Sequence, residues 1–452
     1  MMLRTRWKGV MAAALAMGAS YSLVHVWVSG VRSPGGVFSS SGQMREELPA
    51  VEAYVRAGGP VHLTNPRQYG STFFFLVEPL LRWTGGEPRA LAGGLYALQL
   101  LTIGLAALLA TLWLRRWAGE VYGEDAARAA WPKVLLVLGL LWVNFSPVYY
   151  TLAVKGVESW ELCLLSGGCY AALRERRAIA GLCIAAAALT KMLPLFFLFY
   201  FLLRDRRLLA ASGAWLVLLL AASHLRYGPE MGLGYLPFML RASMGHTWAL
   251  TYHENISLKG MIAKAFGSFH VRGDFTVDGK YVVLEGAQLK AALLLGHLVQ
   301  AAGLVWIAWT LRPWRADRTA RRTALAWEWA FVSVMMLVLS PQTAFEYTVL
   351  ALPAFSLVAA ALTLDPVLRR RRSVWLTFGP ALLLVANLVP RQCLNWLLQG
   401  PIDALLRWSG NGHFNRSEGY QYFGFPLVGL LALIAALWAV RDRCWRPQRT
   451  VA

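Results

Sequence analysis

Apolar runs long enough to cross a bilayer recur along the whole chain, and clusters of arginine mark alternate borders between them. The clusters are Arg4, Arg6 and Lys8; Arg115 and Arg116; Arg174, Arg176 and Arg177; Arg204, Arg206 and Arg207; Arg312 to Arg322; Arg369 to Arg372; and Arg441 to Arg449. A soluble domain has no use for so much apolar surface: 57% of the residues are hydrophobic, only 15% are charged, and mean hydropathy is +0.47. The formal net charge of +20 raises the question of nucleic acid. The basic residues sit at membrane borders, however, where they suit anionic headgroups and orient the chain, so no nucleic-acid partner is expected.

By the positive-inside rule these clusters are cytoplasmic. Spans are then expected at about 9–30, 89–114, 132–152, 157–173, 178–191, 192–203, 207–226, 287–311, 323–341, 346–364, 373–397 and 420–440. This is an all-α polytopic bundle of about twelve transmembrane helices, a single integral membrane domain over 1–452 with both termini cytoplasmic. The 9–30 run is longer than the apolar region of a signal peptide and is read as a span. Cys163, Cys169, Cys183, Cys393 and Cys444 lack the paired spacing of a metal site and read as small buried residues. No phosphate-binding glycine loop or zinc signature is present, so ATP-driven transport has no support.

One charge lies inside an apolar run. Lys191, in GLCIAAAALTKMLPLFFLFYFLL, sits just before Pro194, which breaks the helical hydrogen-bond ladder. The run then reads as two short helices meeting at a turn. A lysine at that depth costs about 2.5–3.5 kcal/mol and needs an anion, a wet cavity, or a route for its ammonium to snorkel to the headgroups.

Two long outer stretches carry most of the remaining polar residues. The first, 31–88, holds Glu46, Glu47, Glu52, Arg56 and Arg67, then an apolar piece from Ser71 to Trp83 that is expected to lie along the interface. The second, Arg226 to Glu285, holds His246, His253, Glu254, Asn255 and Lys259, then a piece expected to form a small β-hairpin around Asp278-Gly279. Shorter outer features are Ser340-Pro341-Gln342 with Glu346-Tyr347, and Arg391 to Tyr422. A carboxylate and several cations on one face suit group transfer from a lipid-linked phosphate. Glu46 or Glu47 would take the proton from an acceptor hydroxyl, and Lys191, His253 and Lys259 would hold the leaving phosphate. A solvated helix face also accounts for the two glutamates, and a structural hydrogen bond also accounts for His253.

Three elements carry a resemblance. AGLCIAAAALTKMLPLFFLFYFLLRDRR contains a Lys-x-x-Pro step; Glu254-Asn255-Ile256-Ser257-Leu258-Lys259-Gly260 contains Asn-x-Ser-Leu-x-Gly; and Leu339-Ser340-Pro341 leads to Glu346-Tyr347. In this order the chain resembles a GT-C membrane glycosyltransferase, specifically glycosyltransferase family 87. That resemblance implies a hexosyltransferase of the cell envelope. Its donor would be a polyprenyl-phosphate sugar such as a mannose, its acceptor a lipid or glycan hydroxyl, and its mechanism inverting at the outer face of the plasma (inner) membrane. It implies substrate contacts from Arg67, Glu254, Asn255, Glu346 and Tyr347, and no required cofactor. The chain departs from the pattern twice: acids in the first outer loop are glutamates within MREELPAVEAYVRAGGP where an aspartate is expected, and a Gly-Gln element is replaced by Lys155-Gly156-Val157-Glu158. The competing readings are a secondary transporter or flippase and an inactive scaffold of the same fold. Against a transporter, the sequence shows one interrupted helix and no counterpart in the second half.

Overall fold

A computed structural model describes residues 70–154, 156–229, 231–237, 254–269, 284, 286–311, 318–386, 391–411, 414 and 416–445. Every regular element among them is helical. In chain order these are α1 (Ser71–Thr84), α2 (Pro88–Tyr122), α3 (Glu124–Val143), α4 (Ser146–Val154), α5 (Glu158–Leu173), α6 (Arg177–Ala188), α7 (Phe196–Arg204) and α8 (Arg206–Tyr227). The second half contributes α9 (Leu258–Phe266), α10 (Gly286–Thr310), α11 (Arg318–Leu339), α12 (Leu352–Leu364), α13 (Pro366–Arg370), α14 (Arg372–Ala381), α15 (Arg391–Trp408), α16 (Arg416–Tyr422) and α17 (Phe425–Trp445).

Six described helices are long and apolar enough to cross a membrane, and four apolar helices of 10–17 residues accompany them. This is a membrane protein. The described residues bear out an all-helical bundle but not the count of twelve, and the 9–30 span and the hairpin about Asp278-Gly279 lie outside them. The segment Phe345–Leu364 is the hub: 89% of its apolar window is inside the protein, against 17% for α10, whose Leu294, Leu298, Val305 and Trp309 face outward.

Several boundaries depart from expectation. The run 132–152 is two helices that part at Asn144, because α3 starts at Glu124 and leaves residues over before its apolar stretch ends. Ser71 to Trp83 is a helix, as the apolar pattern implies. Phe73, Phe74, Val77 and Leu81 bury its inner face, and Phe73 stacks on Trp160. It is therefore a packed part of the bundle. The interruption near Pro194 also has counterparts in the second half: Phe345–Ala351 is a 3-10 segment leading into α12, and Leu382–Ala386 is a π-helical turn after α14. Of the cysteines, Cys169 is buried while Cys163 and Cys183 are half-buried.

Side-chain contacts gather most of the arginine clusters at one end of the bundle. Asp205 caps α8 by accepting from the Arg207 and Leu208 amides at 3.0 and 3.1 Å, and it also pairs with Arg177 at 3.2 Å. Arg204 reaches Glu328 with Nε at 3.0 Å and Nη2 at 2.5 Å, and the Tyr200 hydroxyl donates to the same carboxylate at 2.8 Å. Trp327 donates to the Leu437 carbonyl, Arg441 to that of Thr310, and Arg443 pairs with Asp365 at 3.7 Å. Helix α8 runs from this end for 22 residues, about 33 Å, to Tyr227 at the other. Close packing of α6 on α8 depends on Gly181, where a Cβ would meet the backbone of Ala211 and Ser212 at 2.8 Å.

Glu328 is 1% exposed and holds two donors. Removing it strands a buried guanidinium, so Glu328→Leu should destabilise the protein by about 3–5 kcal/mol. The check is thermal unfolding in detergent, with Glu328→Gln expected to fall between the variant and wild type.

Candidate active site

The helix break places Lys191. Helix α6 ends at Ala188, the chain turns through Thr190 and Lys191, and a 3-10 turn at Leu193–Leu195 starts the return along α7. Fourteen residues from Arg177 put Lys191 about 20 Å from the arginine end. Breaking a helix there frees backbone carbonyls that lipid cannot satisfy. The Gly70 amide donates to the Thr190 carbonyl, and the Thr72 amide to that of Leu189, each at 3.1 Å. These donors are themselves orphans at the start of α1. The approach is so close that a Cβ on Gly70 would lie 2.3 Å from the Leu189 oxygen.

Lys191 donates to Glu158 Oε1 at 2.8 Å, with side-chain exposures of 9% and 0%, and its ammonium stands 3.8 Å from the centroid of the Tyr347 ring. Lys191 thus has a protein anion as its partner. The turn presses Lys191 against the first turn of α5, where Glu158 is the nearest anion. Glu161, one turn further along α5, is also fully buried, and Glu158, Glu346, Glu161 and Glu254 all act electrostatically on Tyr347.

The two polar motifs of the second half are clasped together beside this cluster. Asn255 donates from Nδ2 to the Pro341 carbonyl at 3.0 Å, while its Oδ1 accepts from the Ser257 and Thr343 amides at 3.0 and 3.1 Å. The Ile256 amide donates to the Thr343 carbonyl at 2.6 Å. Ser257 caps α9 by accepting from the Gly260 amide at 3.0 Å, and a Cβ at Gly260 would strike the Asn255 side chain. Lys264 ties this loop to the C-terminal helices through the Asn255 and Tyr422 carbonyls at 2.8 and 3.1 Å. Burial pushes its ammonium down to about 7, opposed by Glu254.

Lys259 differs from both other lysines. It is 3% exposed, its stem would contact a Cβ at Gly296, and no hydrogen bond or ion pair reaches it among the described residues. Burial holds its ammonium below the usual lysine range. A cation in that condition is suited to an incoming anion.

Lys191, Glu254, Glu346 and Tyr347 are thus drawn into one neighbourhood by α5, the α6–α7 turn and the clasped loops that Asn255 holds, while Lys259 lies on α9 with its stem against Gly296 of α10. Glu46, Glu47, Arg67 and His253 lie outside the described residues. Sequence reasoning treated Glu158 as a departure from a motif and passed over Glu161 and Gly70. The signal was present: two acids three apart at the head of an apolar helix, in a chain with one lysine to balance within its apolar runs. Among the described residues no three His, Cys, Asp or Glu side chains are placed to share a metal ion.

The model of glycosyltransferase family 87 matches residues 68–341, more than half of the 452-residue chain. The chain belongs to that family. It is a membrane glycosyltransferase. The match takes in α1, the Glu158–Lys191 pair and the Asn255–Lys259 loop, and it ends at Pro341, against which Asn255 closes. No curated protein and no solved structure matches the chain.

Two outcomes test this geometry. Gly70→Ala should lower the thermal midpoint, by about 1–3 kcal/mol in stability, because the added methyl meets a fixed backbone oxygen. Glu158→Leu alone should cost about 3–5 kcal/mol by stranding Lys191, and pairing it with Lys191→Met should recover most of that loss. A double-mutant cycle by thermal unfolding reads the coupling.

Proposed function

We propose that this glycosyltransferase moves a hexose such as mannose from a polyprenyl-phosphate donor to a hydroxyl of a lipid or glycan acceptor. Transfer would take place at the outer face of the plasma membrane, with inversion at the anomeric carbon. The observation that carries this reading is that a family 87 bundle buries two lysines, Lys191 at the helix break beside Glu158 and Lys259 on α9. A lipid-linked phosphate arriving through the membrane needs cations at that depth, and surface arginines cannot supply them.

In the reaction the acceptor oxygen bonds to the anomeric carbon as the bond from that carbon to the phosphate oxygen breaks. Glu46 or Glu47 takes the acceptor proton. Negative charge grows on the departing phosphate, and Lys191, Lys259 and His253 neutralise it. Lys259 is the cation without a protein counter-charge among the described residues, so it makes the first contact. Lys191 exchanges Glu158 for the phosphate. Arg67, Glu254, Glu346 and Tyr347 line the substrate, while Asn255 holds the loop that carries Lys259. One displacement leaves no sugar on the protein, which is why configuration inverts. No metal is invoked.

Membranes containing the protein, incubated with radiolabelled polyprenyl-phosphate sugars and an acceptor lipid extract, test the reading. Loss of the base, by Glu46→Gln or Glu47→Gln, should slow transfer about 10²- to 10⁴-fold. Lys191→Met, introduced with Glu158→Leu to keep the fold, should slow it about 10²-fold or more. Absence of transfer with every donor would sink the proposal, and transfer that survives both glutamate changes would sink the choice of base.

A further inference from the structure

Three carboxylate oxygens beside Lys191 have no hydrogen-bond partner among the described residues: Oε2 of Glu158 and both oxygens of Glu161. Both side chains are 0% exposed. They stand three residues apart on the first turn of α5 and therefore on one face. Glu161 is aimed at the same spot as its neighbour, since it acts electrostatically on Glu158, Lys191 and Tyr347.

Leaving such groups unpaired in an apolar interior is costly, and an apolar side chain of similar volume would serve the fold better. The cluster at the arginine end shows the contrast. There Glu328 uses both oxygens, taking Arg204 on one and Arg204 with Tyr200 on the other. The acids of α5 are short of donors, and the sum of nearby charge says which donors fit. Glu158, Glu161, Glu254 and Glu346 all act electrostatically on Tyr347, whose ring lies under the Lys191 ammonium, so a further anion is disfavoured against the α5 carboxyls and neutral O–H donors suit them.

We infer that Glu158 and Glu161 form the sugar subsite, accepting hydrogen bonds from hydroxyl groups of the transferred monosaccharide. This rests on the polyprenyl-phosphate reading above, in which Lys191 takes the donor phosphate. The sugar is bonded to that phosphate, so it arrives next to the carboxyl that Lys191 has just released. Glu158 then passes from the ammonium to a sugar hydroxyl, and Glu161 gains its first partner. The two acids set which hydroxyl pattern is transferred.

The test uses the full-length protein in lipid nanodiscs, with Glu161→Gln and Glu161→Met. Without any donor, both variants should unfold at the wild-type temperature or above it, because the carboxyl contributes no contact to the empty protein. With polyprenyl-phosphate mannose and glucose and their monodeoxy analogues, kcat/KM for the preferred donor should fall about 10- to 150-fold, as loss of one or two bonds to a buried carboxyl implies. At one deoxy position wild type and Glu161→Gln should transfer equally well, which marks the hydroxyl that Glu161 holds. A lowered unfolding temperature in both variants, or an equal loss across all analogues, would overturn the inference in favour of a structural role. Unchanged kcat/KM would overturn it outright. Glu161→Asp, which keeps the charge but withdraws it by one methylene, should alter discrimination among analogues even if the other two variants fold poorly; unaltered discrimination counts against the subsite. Failure of wild type to use any polyprenyl-phosphate sugar defeats the donor reading instead, and the unfolding comparison still decides whether Glu161 is kept for the fold.

Discussion

A backbone carbonyl that leaves a helix inside a bilayer must find a donor within the protein, and the architecture around Lys191 is built on that requirement. The chain stops the α6 helix at Ala188, ahead of the 3-10 turn that contains Pro194, and the carbonyls of Leu189 and Thr190 are met by the amides of Thr72 and Gly70. One broken helix end is thus completed by another helix's beginning. This single docking brings Gly70, the head of α1 and the lysine turn to one place. Only glycine at position 70 permits the approach.

Charge is handled differently at the two ends of the bundle. At the arginine end, the buried Glu328 is partnered on both oxygens by Arg204 and Tyr200, and the half-buried Asp205 by a helix start and Arg177. These pairs hold α6, α7, α8 and α11 in register and leave little capacity for a ligand. Around Lys191 the accounts do not close. Among the described residues Lys259 has no counter-charge and Glu161 has no donor. In a low-dielectric interior, incomplete pairing is destabilising, so a fold that carries it is ready to bind what completes it.

The helices themselves were legible. Apolar length and arginine borders locate α5 to α8 and α10 to within four residues and α11, α12 and α17 to within six, α2 runs eight residues past its expected end, and Pro194 announces the turn after Lys191. Errors arose where length alone was used. The run 132–152 is long enough for one span, yet it divides at Asn144 because α3 begins eight residues earlier, at Glu124. Ser71 to Trp83 is short enough to lie on a surface, yet its Phe73 ring stacks on Trp160, a contact 87 residues away in sequence. Periodicity reports that a helix has an apolar face. It does not report what covers it.

From the sequence alone follow the class of protein, the alternation of its charge, the resemblance to family 87 and the presence of one lysine that needed an anion, because each depends on composition and spacing along the chain. Which anion that lysine takes could come only from tertiary structure. Glu158 and Lys191 are 33 residues apart and lie on separate helices, and their meeting depends on how the α6–α7 turn is pressed against α5. The same holds for Asn255 and Pro341, 86 residues apart, whose contact turns two short motifs into one wall of the site. A charge advertises its need locally, but a partner is chosen by packing, and packing is decided by every helix at once.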